Sequence, residues 1–352
     1  MLDIIKPTLR RLLFATYQTI TFNTVDSIKI ENDPRVQYHT TQINGKTYGY
    51  LLAEPEGGYK NTILLIHGFP NLSISWRRQI PTLLSMGFRV ICPDCIGYGA
   101  SDAPKDTLAP YSMKSHADDF KELIRSLSCE KVIVGGFDWG ALLAYRLALW
   151  HPEVVSHLFT LCVPHVGIPT EWVDPETRVK KDPSLAYTLQ FISGDVEKHS
   201  QTSDGVKHVL NALYGGQLPN GDFGTSLEGL KFDLIPHLER SILLDKGELE
   251  FYVDQFSKSG LAGPLNFYRC GQQNHEDDQV LLQQRGQDEK IHCPTMFIWP
   301  SNDLIITREM AESMAKFVPD LTFKEITGAS HFAMWERPAE VNKILRDWLA
   351  CK

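Results

Sequence analysis

Between Val132 and Trp150 the chain passes from strand to helix with almost no room for a linker. Val132-Ile133-Val134 is a continuous apolar run, Gly136-Phe137-Asp138-Trp139-Gly140 follows directly, and Ala141–Trp150 continues as an apolar helix. A strand apolar on both faces belongs inside a parallel sheet covered on both sides. Parallel neighbours need crossover connections, which are almost always right-handed and usually helical. The glycines permit a sharp turn in which one strained residue, Asp138, projects from the edge of the sheet. This segment therefore restricts the fold to an α/β architecture.

The rest of the chain agrees. Ile63–Ile66, Arg89–Ile91, His157–Leu161 and Met296–Trp299 read as further buried strands. Phe120, Leu123, Ile124 and Leu127 fall on one helical face, as do Val341, Ile344, Leu345 and Trp348, with Pro338 near the start of that helix. Arg35–Ile43 and Lys46–Glu54 alternate around Asn44-Gly45, which predicts an antiparallel hairpin leading into the sheet. Alternation of strand and helix stops after Val163 and resumes near Cys293. The stretch between is punctuated by proline and mainly helical, with a loop at Gly215–Gly221. It reads as a lid inserted between two strands of one sheet, above the carboxyl edge where open α/β sheets bind ligands. The expected division is a core of residues 1–164 and 285–352, with residues 1–30 as an arm of no assigned role, and a helical cap of residues 165–284.

With 352 residues the chain can bury a large core without disulfides or metals. A net charge of −8 and the absence of a dense basic patch argue against nucleic acid as a partner. Arg77-Arg78 and Lys180-Lys181 read as isolated pairs on solvated faces. Seven scattered cysteines suit reduced thiols and a cytoplasmic location. Cys92-Pro93-Asp94-Cys95 has redox spacing but lies between a strand and a glycine-rich turn, so it reads as structural. Nothing has the spacing of a zinc site. The apolar stretch Leu12–Phe22 is too short and too polar for a membrane span or a secretory signal, and reads as part of a short amphipathic arm. The ending Ala350-Cys351-Lys352 matches neither a peroxisomal address nor a prenylation box.

The chemistry gathers at strand ends. Asp138 stands where serine stands in the nucleophile-elbow pattern. A carboxylate needs no base for a first attack and attacks saturated carbon to give an alkyl ester. His67-Gly68-Phe69-Pro70 follows a strand at the position that supplies an oxyanion-hole N–H in hydrolases of this architecture, so the N–H groups of Phe69 and Trp139 are the candidate donors. Asp303 follows Met296–Trp299, and His331 follows the strand Thr322–Ile326. The order Asp138, Asp303, His331 is nucleophile, acid, base. The other position for the acid, after the sixth strand, carries no carboxylate: Leu161-Cys162-Val163-Pro164 stands there.

On these motifs, from about Tyr38 to Leu349, the chain resembles the soluble epoxide hydrolases of the α/β-hydrolase fold. The resemblance implies a mostly parallel eight-stranded sheet flanked by helices, with a helical cap after the sixth strand. It also implies two lid tyrosines that hold and protonate an epoxide oxygen. The segments Ser184–Phe191 and Ser259–Arg269 resemble the family's pattern and place them at Tyr187 and Tyr268. His67, Trp76, Phe191 and Trp139 are the expected pocket residues. The implied reaction converts a small lipophilic epoxide and water into a vicinal diol, with detoxification, lipid signalling and secondary metabolism all open as its setting. No cofactor or metal is implied, no integral membrane segment is expected, and a homodimer is compatible with the resemblance. Haloalkane dehalogenases share the Asp nucleophile and use a tryptophan where Trp139 stands. They lack the tyrosine pair, which makes sense for an oxygen leaving group that needs a proton. A non-catalytic receptor on the same fold would not need the whole constellation.

Overall fold

The computed structural model describes residues 25–350. The stretch Leu12–Phe22 and the C-terminal Cys351-Lys352 lie outside the described residues. The predicted hairpin forms from β1 (Gln37–Ile43) and β2 (Lys46–Ala53). Its two-residue loop has positive φ at both positions, 49° at Asn44 and 77° at Gly45, as the right-handed twist of the strands requires.

The strands β3 (Asn61–Ile66), β4 (Phe88–Pro93), β5 (Val132–Phe137), β6 (Val155–Leu161), β9 (Thr295–Pro300) and β10 (Leu321–Ile326) run parallel to one another in the same sheet. The eight-stranded order is β1-β2-β4-β3-β5-β6-β9-β10, with β2 antiparallel to both neighbours. Every residue of β4, β5 and β9 is buried, which is why these segments read as apolar runs without alternation. The helices α1 (Ile80–Ser85), α2 (Met113–Ser126) and α3 (Trp139–Trp150) connect the first parallel strands. Ser112 caps α2 by accepting from the N–H of Ser115, and the helix buries Phe120, Leu123 and Ile124, three of the four residues expected on that face.

From β3 the chain crosses to β4 on one side, and from β5 it crosses to β6 on the other. The carboxyl ends of β3 and β5 therefore flank a topological switch point, the place where open α/β sheets carry their sites.

The insertion after β6 contains α4 (Pro175–Lys181), α5 (Tyr187–Ser193), α6 (Asp195–His199) and α7 (Ser203–Leu213). It continues with a small ribbon of β7 (Thr225–Ser226) and β8 (Gly229–Leu230), then α8 (Lys246–Ser259), α9 (Ala262–Arg269) and α10 (Gly271–Gln284). The ribbon was not legible in the sequence, because two-residue strands carry no periodicity. Within the insertion α5 packs on α9 and α7 on α8. After β9 come α11 (Arg308–Ser313), β10, α12 (Ala333–Glu336) and α13 (Pro338–Leu349).

One surface expectation is corrected. Arg77 is fully buried, with its Nε 2.6 Å from Glu248 of α8 and its guanidinium 4.7 Å above the Trp335 ring. The neighbouring Arg78 donates to the Trp335 carbonyl. The pair joins the insertion to the C-terminal segment rather than facing water. Cys92 and Cys95 are buried free thiols, as the structural reading of that motif expects. No helix among the described residues is long and apolar enough to cross a membrane.

Candidate active site

Asp138 sits between the end of β5 and the start of α3 with φ 55° and ψ −123°. An L-residue rarely adopts that conformation, and it costs about 1–3 kcal/mol unless the surroundings enforce it. They do so by close packing. A Cβ on Gly136 would strike the Gly140 carbonyl, and one on Gly140 would strike the Ile66 carbonyl. The side chain of Asp138 makes no capping hydrogen bond to α3, although it occupies the N-cap. It is turned instead toward the carboxyl ends of its neighbours.

Two residues hold it, and a third backs one of them. The N–H of Phe69, just after β3, donates to Asp138 Oδ1 at 2.7 Å. His331 Nε2 lies 3.3 Å from Asp138 Oδ2. On its other side His331 Nδ1 lies 2.7 Å from Asp303 Oδ2. Asp303 Oδ1 accepts from the N–H groups of Ile305 and Ile306, at 2.9 and 3.1 Å. The structure thus brings together the three residues read in order from the sequence, plus Phe69. The N–H of Trp139 makes no hydrogen bond to the Asp138 carboxylate.

The electrostatics follow from this geometry. Burial opposes the charge on His331, but the carboxylates of Asp303 and Asp138 override it and raise the imidazole from 6.5 to about 10. Burial likewise opposes ionisation of Asp303. The His331 charge and the two backbone donors outweigh it and hold the carboxyl below its ordinary value. His331 thus stands between two carboxylates that favour its protonated form.

Across from Asp138 stand the phenols of the insertion. Tyr187 opens α5 and Tyr268 lies in the last turn of α9, with ring centroids 6.3 Å apart. Tyr268 packs edge-on against Trp139 at 5.0 Å, Phe191 at 5.0 Å and Phe69 at 5.5 Å. Burial raises the pKa of both phenols, and the nearby negative charge of Asp138 adds to it, so both keep their protons at neutral pH. The arrangement can present a carboxylate to one side of a small molecule and phenolic O–H donors to the other.

Two expected pocket residues have other places. His67 is buried, its Nδ1–H directed at the Gly68 carbonyl at 2.9 Å and its Nε2 accepting from the Cys95 N–H at 3.0 Å. Both ring nitrogens are used on backbone, so His67 braces the Phe69 turn and has none left for a ligand. Trp76 is fully buried, edge-on to Phe159 of β6 at 6.3 Å, which makes it a core residue rather than a pocket wall. Sequence reading passed over Phe267, 5.8 Å from Trp139, and Arg269, which donates to the Phe191 and Ile192 carbonyls at the end of α5. The signal for Arg269 was its place directly after Tyr268. Cys162 occupies the position after β6 where no acid was found. Its donor atom lies within 4.8 Å of those of Asp303 and His331, a set able to bind a metal ion, but its thiol donates to the His331 carbonyl at 2.9 Å.

The eight-stranded sheet with a strained carboxylate at its switch point is an α/β-hydrolase fold, and the model of that fold family matches residues 61–208. Epoxide hydrolase srdG of Neurospora crassa is 34% identical over 333 residues, 90% of this chain and 96% of its own length. Bifunctional epoxide hydrolase 2 of Sus scrofa is 30% identical over 335 residues, which cover 92% of this chain but 59% of that protein. Among solved structures, a laboratory-evolved variant of potato epoxide hydrolase superposes with a TM-score of 0.77 at 27% identity, covering 90% of this chain and 100% of its own. The chain belongs to the α/β-hydrolase-fold epoxide hydrolase family.

Proposed function

We propose that the protein hydrolyses lipophilic epoxides to vicinal diols through an ester on Asp138. The observation that carries this reading is the placement of two protonated phenols opposite a carboxylate that is backed by a histidine–carboxylate pair. A halide leaves without a proton, whereas an opening epoxide gives an alkoxide that needs one. The aromatic surroundings, Phe69, Trp139, Phe191 and Phe267, favour an apolar substrate.

In the first step Oδ2 of Asp138, the oxygen not held by the Phe69 N–H, attacks one epoxide carbon and the ring C–O bond breaks. Tyr187 or Tyr268 protonates the departing oxygen and is left as a phenolate. Asp138, now a neutral ester, no longer stabilises the imidazolium. The His331 proton passes to the phenolate, which leaves a neutral imidazole oriented by Asp303. In the second step His331 takes a proton from water as its oxygen attacks the ester carbonyl. The Phe69 and Trp139 N–H groups meet the resulting oxyanion. Collapse expels the diol oxygen, which receives the His331 proton, and leaves Asp138 as a carboxylic acid whose proton passes to the neutral His331, restoring the carboxylate and the imidazolium.

The test is His331→Gln. Alkylation of Asp138 should survive and ester hydrolysis should nearly stop, so a covalent adduct with the mass of the epoxide should accumulate. In wild type, one turnover in oxygen-18 water should label Asp138 and not the first diol released. Label in that diol, with no adduct in the variant, would make Asp138 a general base and overturn the reading. Turnover of haloalkanes but not of aryl or aliphatic epoxides would favour the dehalogenase instead.

A further inference from the structure

The turn that carries the Phe69 N–H is held from two sides. On the core side the Asn71 N–H closes it onto the Gly68 carbonyl at 2.9 Å, and His67 braces the same carbonyl. On the other side the hydroxyl of Tyr214, which ends α7 in the insertion, donates to the Pro70 carbonyl at 2.6 Å. Tyr214 is fully buried, and its ring packs against Phe332 and Trp335 at 5.5 and 5.4 Å. Its own carbonyl accepts from the Ser241 hydroxyl. One side chain of the insertion thus grips the Pro70–Asn71 peptide of the turn and lies against the residue that follows His331.

We propose that Tyr214 is a positioning residue for the second half-reaction, holding the Gly68–Asn71 turn so that the Phe69 N–H stays aimed at the Asp138 oxygen. This rests on the ester mechanism proposed above. The physical argument is that the Phe69 N–H acts with opposite sign in the two steps. During alkylation Asp138 loses negative charge, so the hydrogen bond from Phe69 weakens as the transition state forms. During hydrolysis the ester carbonyl gains a full negative charge, so the same bond strengthens. Loosening the turn therefore leaves ring opening unchanged or faster and slows ester hydrolysis. General damage to the cap would slow both.

The experiment is rapid-quench kinetics on Tyr214→Phe, which keeps the ring and removes the hydroxyl, with covalent ester followed by mass spectrometry. Outright removal of an oxyanion donor costs ~10²–10³-fold, and a misaimed donor costs a fraction of that, so hydrolysis should slow about tenfold. The alkylation constant should not fall, and the steady-state fraction of ester should rise. Ser241→Ala, which frees the Tyr214 carbonyl, is a second route and should give a smaller change of the same sign. Tyr252→Phe is the control. Its ring lies 5.7 Å from Tyr214 in the same cluster, but its buried hydroxyl has no hydrogen-bond partner among the described residues, so both steps should keep wild-type rates. Hydrolysis within twofold of wild type in Tyr214→Phe, or an equal fall in both constants, overturns the proposal. Absence of any ester in wild type overturns the mechanism beneath it.

Discussion

His331 Nε2 lies 3.3 Å from Asp138 Oδ2, so the candidate base rests against the candidate nucleophile. Asp138 and Asp303 together raise the imidazole to about 10 against the pull of burial. In Asp138→Asn, which imitates the neutral ester, the His331 pKa should fall. Imidazole NMR of the two proteins checks this, and an unchanged titration would contradict it. The sign for stability follows from linkage. A pKa raised on folding stabilises fully below the unfolded value of 6.5, and the contribution is lost as pH rises through about 10. The stability advantage of wild type over His331→Gln should therefore shrink between pH 6.5 and 10 in denaturant titrations.

The backbone at Asp138 makes a second prediction. Its φ of 55° and ψ of −123° suit glycine. Asp138→Ala and Asp138→Gly both remove the carboxylate, so neither should turn over epoxide. Glycine ordinarily destabilises relative to alanine, but here it relieves strain. The Gly variant should be the more stable of the two by about 1 kcal/mol in urea unfolding. The usual order, with alanine ahead, would mean that the turn is not strained.

The parts of the site that follow strand ends were legible because the motif and the strand are contiguous. Asp138 follows β5, Phe69 follows β3, Asp303 follows β9 and His331 follows β10. What was not legible depends on partners distant in sequence. Tyr214 meets Pro70 across 144 residues, and Arg77 meets Glu248 across 171. No local pattern announces such a pair, so Arg77 looked like a surface charge. His67 and Trp76 show the converse. Whether a side chain near a strand end faces a ligand, braces the turn or fills the core depends on the packing around it.

Tyr187 and Tyr268 should share the proton donation. With centroids 6.3 Å apart and both pKa values raised, either can donate. Tyr187→Phe or Tyr268→Phe alone should slow ring opening measurably. The double variant should lose ~10²–10⁴-fold, the usual range for general-acid catalysis. Single-turnover ester formation is the measurement. A double variant that opens epoxides at nearly the wild-type rate would remove the main support for epoxide over halide.

Arg269 links the two helices that carry those tyrosines. It follows Tyr268 and donates from Nη2 to the Phe191 carbonyl at 3.2 Å and from Nε to the Ile192 carbonyl at 3.3 Å. These are C-terminal carbonyls of α5, where a positive charge also meets the favourable end of the helix dipole. Its guanidinium is ion-paired with Glu197 of α6. Arg269→Met keeps the length of the stem but removes every donor, which loosens the distance between Tyr187 and Tyr268. Ring opening should slow about tenfold, the scale expected when a proton donor is misplaced rather than removed. Hydrolysis of the ester should be unaffected, because in the mechanism proposed above neither tyrosine acts in that step. Lysine offers charge without the planar fork, so Arg269→Lys should recover only part of the rate. Rapid-quench separation of the two steps decides the matter. An equal fall in both steps would mean that Arg269 supports the insertion as a whole rather than the tyrosine pair.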